Sequence, residues 1–138
     1  MSDNIHSPAH YTVYRIQPIA ITRYLGFCLG NAVKYVLRAP YKGGAEDLHK
    51  ALQYLQWEKE TPAPMLPIAA WQKTEEALDI LVHHLMSGKG VMPKYNDEIM
   101  QTQAEFLQAI GDYLERPSSV GLQHMQQCIR AMLRLLEA

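Results

Sequence analysis

Between Gly30 and Leu55 the sequence runs G-N-A-V-K-Y-V-L-R-A-P-Y-K-G-G-A-E-D-L-H-K-A-L-Q-Y-L, two helical patterns hinged on a proline and a pair of glycines. At about 100° per residue, Leu29, Val33, Val36 and Leu37 fall within one arc of the first helix, and Leu48, Ala51, Leu52 and Leu55 within one arc of the second. Both arcs have to be buried, so the stretch reads as helix, glycine turn, helix. The opposite arcs carry Asn31, Lys34, Tyr35 and Arg38 on the first helix and Glu46, Asp47, Lys50 and Tyr54 on the second, with Lys42, Gly43 and Gly44 at the corner between. These arcs hold most of the charged side chains of the segment, with tyrosines among them. That combination points to an anion site facing acids.

The rest of the chain is read as helical too. Residues 1–14 include S-P-A-H-Y-T-V-Y, which lacks a helical period, and are expected to form an extended arm. Pro18 suits the first turn of a helix, where its missing N–H is no loss, so Ile16 to Leu25 is expected to be a short helix interrupted near Gly26. Phe27 to Ala39 follows and Pro40 stops it. The next helix spans about Ala45 to Glu60, with Glu46 and Asp47 in the first turn, where the macrodipole favours acids. Three prolines in residues 61–67 forbid a helix there and mark a linker between a module at 1–60 and a helical region at 68–138. Beyond it, helical periods predict Ile68 to Met86, a helix capped by Asn96 or Asp97 and running to Glu115, and a last helix capped by Ser118 or Ser119. No strand alternation longer than a few residues occurs. The expected class is all-α, a bundle of five to six helices with an extended N-terminal arm.

With 138 residues, 48% of them hydrophobic, the chain can bury a substantial core in one compact unit. A net charge of −1 gives the molecule as a whole no electrostatic reason to bind nucleic acid or a membrane surface. Its distribution is uneven: residues 1–50 carry six Lys and Arg against three acids, a balance of +3 that leaves −4 for the remainder. Cys28 and Cys128 lack C-x-x-C or Cys/His ligand spacing and read as free thiols of a reducing compartment. The first residues lack a basic and then an apolar signal region, and no apolar run reaches about 18 residues, so a cytosolic protein is expected, with no membrane partner.

Several residues have the chemistry for a site. Lys34, Arg38 and Lys50, with Lys42 and the Gly43 and Gly44 amides, converge where a phosphate would sit at the start of the helix after the corner. The competing account has Glu46 and Asp47 pairing with Lys50 and Lys42 on a wet surface. Glu75, Glu76 and Asp79 have the spacing with which all-α nucleoside triphosphate pyrophosphatases hold Mg²⁺, but the acids that would complement them, Glu105 and Asp112, are seven apart, and a solvated face is the better reading. His83 and His84 are adjacent and point about 100° apart, so they do not chelate one metal. Trp57 and Trp71 flank the linker as core or interface residues. No Walker, Rossmann, nucleophile-elbow or zinc spacing is present, which excludes a standard P-loop kinase.

P-A-H-Y-T at 8–12, I-Q-P-I, F-C-L-G-N-A-V-K-Y-V-L-R-A at 27–39, K-G-G at 42–44 and E-D-L-H-K-A-L-Q-Y-L at 46–55 together resemble the DUF3310 family of small phage and prophage proteins, over roughly residues 8–57. The resemblance implies an all-α module, and the family includes a nucleotide kinase of the phage T7 type that acts on deoxynucleoside monophosphates without a Walker motif. The positions that match are His10, Tyr11, Asn31, Lys34, Tyr35, Arg38, Lys42, Gly43, Gly44, Glu46, Asp47, Lys50 and Tyr54. One departure stands out: where the family usually has an acid after the I-Q-P-I segment, this chain has Ala20, Ile21, Thr22 and Arg23. That substitution implies nucleotide binding without turnover if the acid holds a metal or positions an acceptor.

The expected function is therefore nucleotide binding in a bacterial host's cytoplasm, extending to deoxynucleoside monophosphate phosphorylation. In a phosphoryl transfer, Lys34, Arg38 and Lys50 would neutralise phosphates, Gly43 and Gly44 would cradle one, Glu46 or Asp47 would orient the acceptor or hold Mg²⁺, and a nucleoside triphosphate would be the donor. His10, Tyr11, Asn31 and Lys42 complete the expected nucleotide site, with Tyr35 and Tyr54 stacking the base. The alternative is a non-catalytic interaction protein that binds a nucleotide or a host protein. A homo-oligomer is expected in either case. DNA binding is the poorest reading, because the basic cluster is small and mixed with acids.

Overall fold

The computed structural model describes residue 14 and residues 16–87 and 97–137. They form six helices in the order α1 (Ile19–Thr22), α2 (Phe27–Arg38), α3 (Gly44–Glu60), α4 (Ile68–Ser87), α5 (Asp97–Glu115) and α6 (Ser119–Glu137), with no strand among the described residues. α2 packs on α3, α3 on α6, α6 on α5 and α5 on α4. The fold is thus all-α, and its buried apolar side chains form one cluster that runs from the first helices to the last. None of the described helices is long and apolar enough to cross a membrane.

The helical periods place the core. Leu29, Val33, Val36 and Leu37 of α2 and Leu48, Ala51 and Leu55 of α3 are all buried, while Leu52 at the edge of its arc is half-buried. Ile99, Phe106, Leu107 and Ile110 of α5 meet Leu122, Met125, Ile129 and Met132 of α6 in the same cluster. α1 is shorter than the expected Ile16 to Leu25. After Thr22 the amides of Tyr24 and Leu25 bond to the carbonyls of Ile21 and Thr22, three residues back, so the helix tightens into a turn before Gly26. Gly26 then lies so close to the linker that a Cβ there would stand 2.7 Å from that of Ala63. At the other end of the chain, Ser118 caps α6, its Oγ accepting from the Gly121 amide at 3.1 Å.

Two buried polar clusters tie the first helices to the later ones. The last carbonyls of a helix have no partner within it, and at the end of α2 those of Val36 and Leu37 are buried. Tyr14 donates its hydroxyl hydrogen to the Leu37 carbonyl, and Gln103 of α5 donates from Nε2 to the Val36 carbonyl at 3.2 Å and to the Tyr14 hydroxyl at 3.0 Å. In the second cluster Glu58, on the buried side of α3, accepts from the Ala63 amide and from the Tyr113 hydroxyl, each at 3.1 Å. This holds the linker down on the bundle. Burial, then the charge of Glu58 and the hydrogen bond it accepts, push the Tyr113 phenol up to about 12. Burial first and Glu58 second also raise the Cys28 thiol, while Cys128 is pushed up to about 11 by burial and then by Glu105. Both cysteines are free thiols.

Replacing Gln103 by Leu leaves the buried Val36 carbonyl without its donor, and a loss of about 1–3 kcal/mol is expected in chemical denaturation. A phenol whose pKa is raised by folding stabilises the native state below its unfolded value of 10.0 and loses that contribution as pH rises through about 12. Denaturation midpoints measured across this window should therefore fall more steeply for the parent protein than for Tyr113→Phe.

Candidate functional site

The corner between α2 and α3 is built from Ala39 to Gly43. α2 ends where Pro40 follows, the Lys42 amide bonds back to the Arg38 carbonyl, and the Gly44 amide bonds to the Ala39 carbonyl at 2.8 Å. Gly44 has φ +59, the left-handed conformation that side chains rarely adopt. Gly43 is required for a different reason. A Cβ on Gly43 would lie 1.9 Å from the carboxylate of Asp47, so the absence of a side chain there is what lets that carboxylate lie against the backbone.

Asp47 does not share the outer arc with Glu46 and Lys50, as its position in the helical pattern suggested; it is only 1% exposed. Its two oxygens accept from Arg38 Nε at 2.8 Å and from Nη2 at 3.2 Å, a two-pronged, charge-assisted pair across the corner. This corrects three expectations at once. The Arg38 fork is held by Asp47 rather than presented to a phosphate, Asp47 is too deeply buried to orient an acceptor, and its partner is not Lys42, which is exposed. The diglycine does not form a phosphate cradle either, since the Gly44 amide is bonded to Ala39 and the anion lying against Gly43 is the protein's own carboxylate. Glu46 does pair with Lys50, at 3.5 Å on an open surface.

The expected convergence of cations is present, and its centre is Tyr35. Lys34 Nζ stands 4.7 Å from the centroid of that ring, Arg38 Cζ 5.0 Å and Lys50 Nζ 5.4 Å. A neutral aromatic ring open to solvent on part of its surface attracts cations by only about 0.5–1 kcal/mol each, and does not cancel their mutual repulsion. Asp47 neutralises Arg38 and Glu46 faces Lys50. Lys34 has no acid partner among the described residues. Among the described residues, the three cations and two acids of this face leave one positive charge in excess, and Lys50 is held only by a loose exposed pair.

The tyrosines are arranged differently from the expected base platform. Tyr35 and Tyr54 stack on each other, with centroids 5.9 Å apart and planes at 15°, and Tyr54 is also met edge-on by Phe27 at 5.8 Å and by Trp57 at 5.4 Å. Tyr54 is enclosed by its neighbours. With Trp57 46% exposed, the most open ring of this row is Phe27, which is 75% exposed. Beside it lies a shallow recess of about 280 Å³ lined by Thr22, Leu25, Gly26, Phe27, Gly30, Asn31 and Lys34. Asn31 donates from Nδ2 to the Phe27 carbonyl at 2.8 Å, and Gly30 keeps the floor low, where a Cβ would come within 3.4 Å of the Thr22 carbonyl. His10 and Tyr11 lie outside the described residues.

A second concavity, of about 330 Å³, runs between α4 and α5. Glu75 and Asp79 line it opposite Asp112 and Glu115, so Asp112 faces the first acids with Glu115 as its companion rather than Glu105. Among the described residues, no three His, Cys, Asp or Glu side chains come together closely enough to hold a metal ion. His83 is exposed and His84 buried, as adjacent positions on a half-buried helix require.

Residues missed in the sequence include Glu58, Gln103 and Tyr113. The signal was there: Ala51, Leu55 and Glu58, and Ile99, Gln103, Phe106, Ile110 and Tyr113, are spaced by threes and fours, so these polar groups lie on apolar faces. Phe27 carried no such signal.

Residues 5–56 match the model of a family described as a protein of unknown function, DUF3310; the stretch takes in α1, α2 and most of α3. No curated protein and no solved structure matches the chain.

The Arg38–Asp47 pair gives the site its direct test. Asp47→Ala removes the partner of a half-buried guanidinium, and a loss near the lower end of the roughly 3–5 kcal/mol typical of broken buried pairs is expected. Gly43→Ala, which displaces the Asp47 carboxylate, should add little further destabilisation when made in the Asp47→Ala background, as thermal denaturation of the double variant will read.

Proposed function

We propose that this chain, which matches the DUF3310 family over residues 5–56, binds a nucleoside monophosphate on the outer face of α2 and α3. The observation that carries the reading is the gathering of Lys34, Arg38 and Lys50 around Tyr35, where the ion pairs among the described residues engage Arg38 and Lys50 but not Lys34. A phosphate dianion at Lys34 and Lys50 relieves that imbalance. It has only to displace the exposed Glu46 from Lys50, a pair worth about 0.2–1 kcal/mol, whereas a charge-assisted hydrogen bond to phosphate is worth about 1.5–3 kcal/mol. Lys42 is exposed at the corner beside them and adds to the local positive potential. Arg38 acts indirectly, by fixing the corner that sets the two lysines together.

Binding without chemistry fits these residues better than phosphoryl transfer. With Asp47 turned inward, Glu46 is the acid of this face that reaches solvent among the described residues, at 79% exposure, and a single open carboxylate is a weak seat for Mg²⁺. Where the family resemblance leads one to expect an acid, Ile21 is buried in the core and Arg23 lies over the ring of Tyr24. The role that follows is that of a phage or prophage protein that holds nucleoside monophosphates in the cytoplasm of its bacterial host.

Calorimetric titration with dTMP and dGMP at low and moderate salt tests the reading. Salt-sensitive binding is expected, weakened about tenfold by Lys34→Ala and abolished by Lys34→Ala with Lys50→Ala. Absence of binding to the parent protein, or affinity unchanged in the double variant, contradicts the proposal. Diphosphate formed on addition of ATP would overturn the choice of binder over kinase.

A further inference from the structure

We infer that the recess beside Phe27 receives the nucleobase of the bound nucleotide, with the Phe27 ring as its stacking surface and the Asn31 carboxamide oxygen as the acceptor that reads an N–H of the base. The inference rests on the nucleotide reading above and adds to it a place and a chemical class for the uncharged part of the ligand. Three observations carry it.

The first is the exposure of Phe27. It is the second most exposed large apolar side chain among those described, at 75%, yet it sits at the start of a helix, in edge contact with the ring of Tyr54. Its outer surface is open to a planar ligand. Tyr35 and Tyr54, the rings that the sequence offers for this role, are stacked on each other.

The second is the orientation of Asn31. Its bond to the Phe27 carbonyl has to be made by the amide nitrogen, since a carbonyl oxygen only accepts, so the side-chain oxygen is the atom left over on a residue that lines the recess. An acceptor in this place pairs with an imino or exocyclic amino N–H, which every nucleobase presents on its hydrogen-bonding edge. The contact favours a base over an apolar ring of the same size.

The third is continuity. Lys34 both lines the recess and stands 4.7 Å from the centre of Tyr35 among the cations assigned to the phosphate. One side chain therefore borders both parts of the ligand. The recess, about 280 Å³, is close to the roughly 300 Å³ at which small-molecule clefts begin, enough for one base with little room to spare.

The experiment compares dTMP and dGMP with 2-deoxyribose 5-phosphate, which has the sugar and phosphate without the base, by calorimetry on the full chain and on Phe27→Ala and Phe27→Trp. The parent protein should bind at least one of the nucleotides about tenfold more tightly than the sugar phosphate, the scale of one base–aromatic stack. Phe27→Ala should erase that difference while leaving the sugar phosphate affinity unchanged, and Phe27→Trp should restore it. Because the ring is exposed, its removal leaves the core intact. Equal affinity for nucleotides and sugar phosphate in the parent protein overturns the base site alone. So does a Phe27→Ala variant that keeps the difference. Failure of all three ligands to bind overturns the nucleotide reading and this inference with it.

Discussion

The ion pair between Arg38 and Asp47 is the contact on which the geometry of the α2/α3 corner depends. Burying a carboxylate costs several kcal/mol, and here the cost is offset by two hydrogen bonds from one guanidinium, so the pair holds only in one register of the two helices. Lys34 lies one turn before Arg38 on α2, and Lys50 one turn after Asp47 on α3. Locking the inner residues of the two helices thus brings the outer ones to the ring of Tyr35, Lys34 from one helix and Lys50 from the other. Gly43 permits the arrangement by leaving room for the carboxylate.

The same helices depend on the rest of the bundle for their buried polar groups. Tyr14 and Gln103 satisfy carbonyls at the end of α2 that water does not reach, and Glu58 joins α3 to both the linker and α5. The proline-rich segment is therefore a strap held against the surface by Glu58 and by the fit of Ala63 against Gly26. Residues of the DUF3310 stretch and of the later helices share one core, and the face that gathers the cations is supported from beneath by α5 and α6.

Much of the fold was legible in the sequence because helical burial is a property of faces, and faces repeat every three or four residues. Val33, Val36 and Leu37 and their counterparts Leu48, Ala51 and Leu55 declared themselves in this way, as did Pro40 and Ser118 at helix ends. The site was legible only in part. Lys34, Lys50 and Tyr35 meet as their spacing implied, but Asp47 lies at the border of the apolar arc, and whether a border residue turns inward depends on what the neighbouring helix offers. Arg38 decided that, and the pairing withdrew both residues from ligand chemistry. Phe27 was illegible for a related reason: an aromatic residue at a helix start looks like core until the packing around it leaves it open.

What the face offers a ligand is two lysines incompletely neutralised by described acids beside a row of aromatic rings, next to a corner held by the Arg38–Asp47 pair. A phosphate joined to a planar ring complements both parts. The most direct measurement is a crystal structure of the protein soaked with dTMP or dGMP. Phosphate density within hydrogen-bond distance of Lys34 and Lys50, with Arg38 still on Asp47, is the expected result. A phosphate bound elsewhere, for instance between α4 and α5, or one that draws Arg38 away from Asp47, would contradict it.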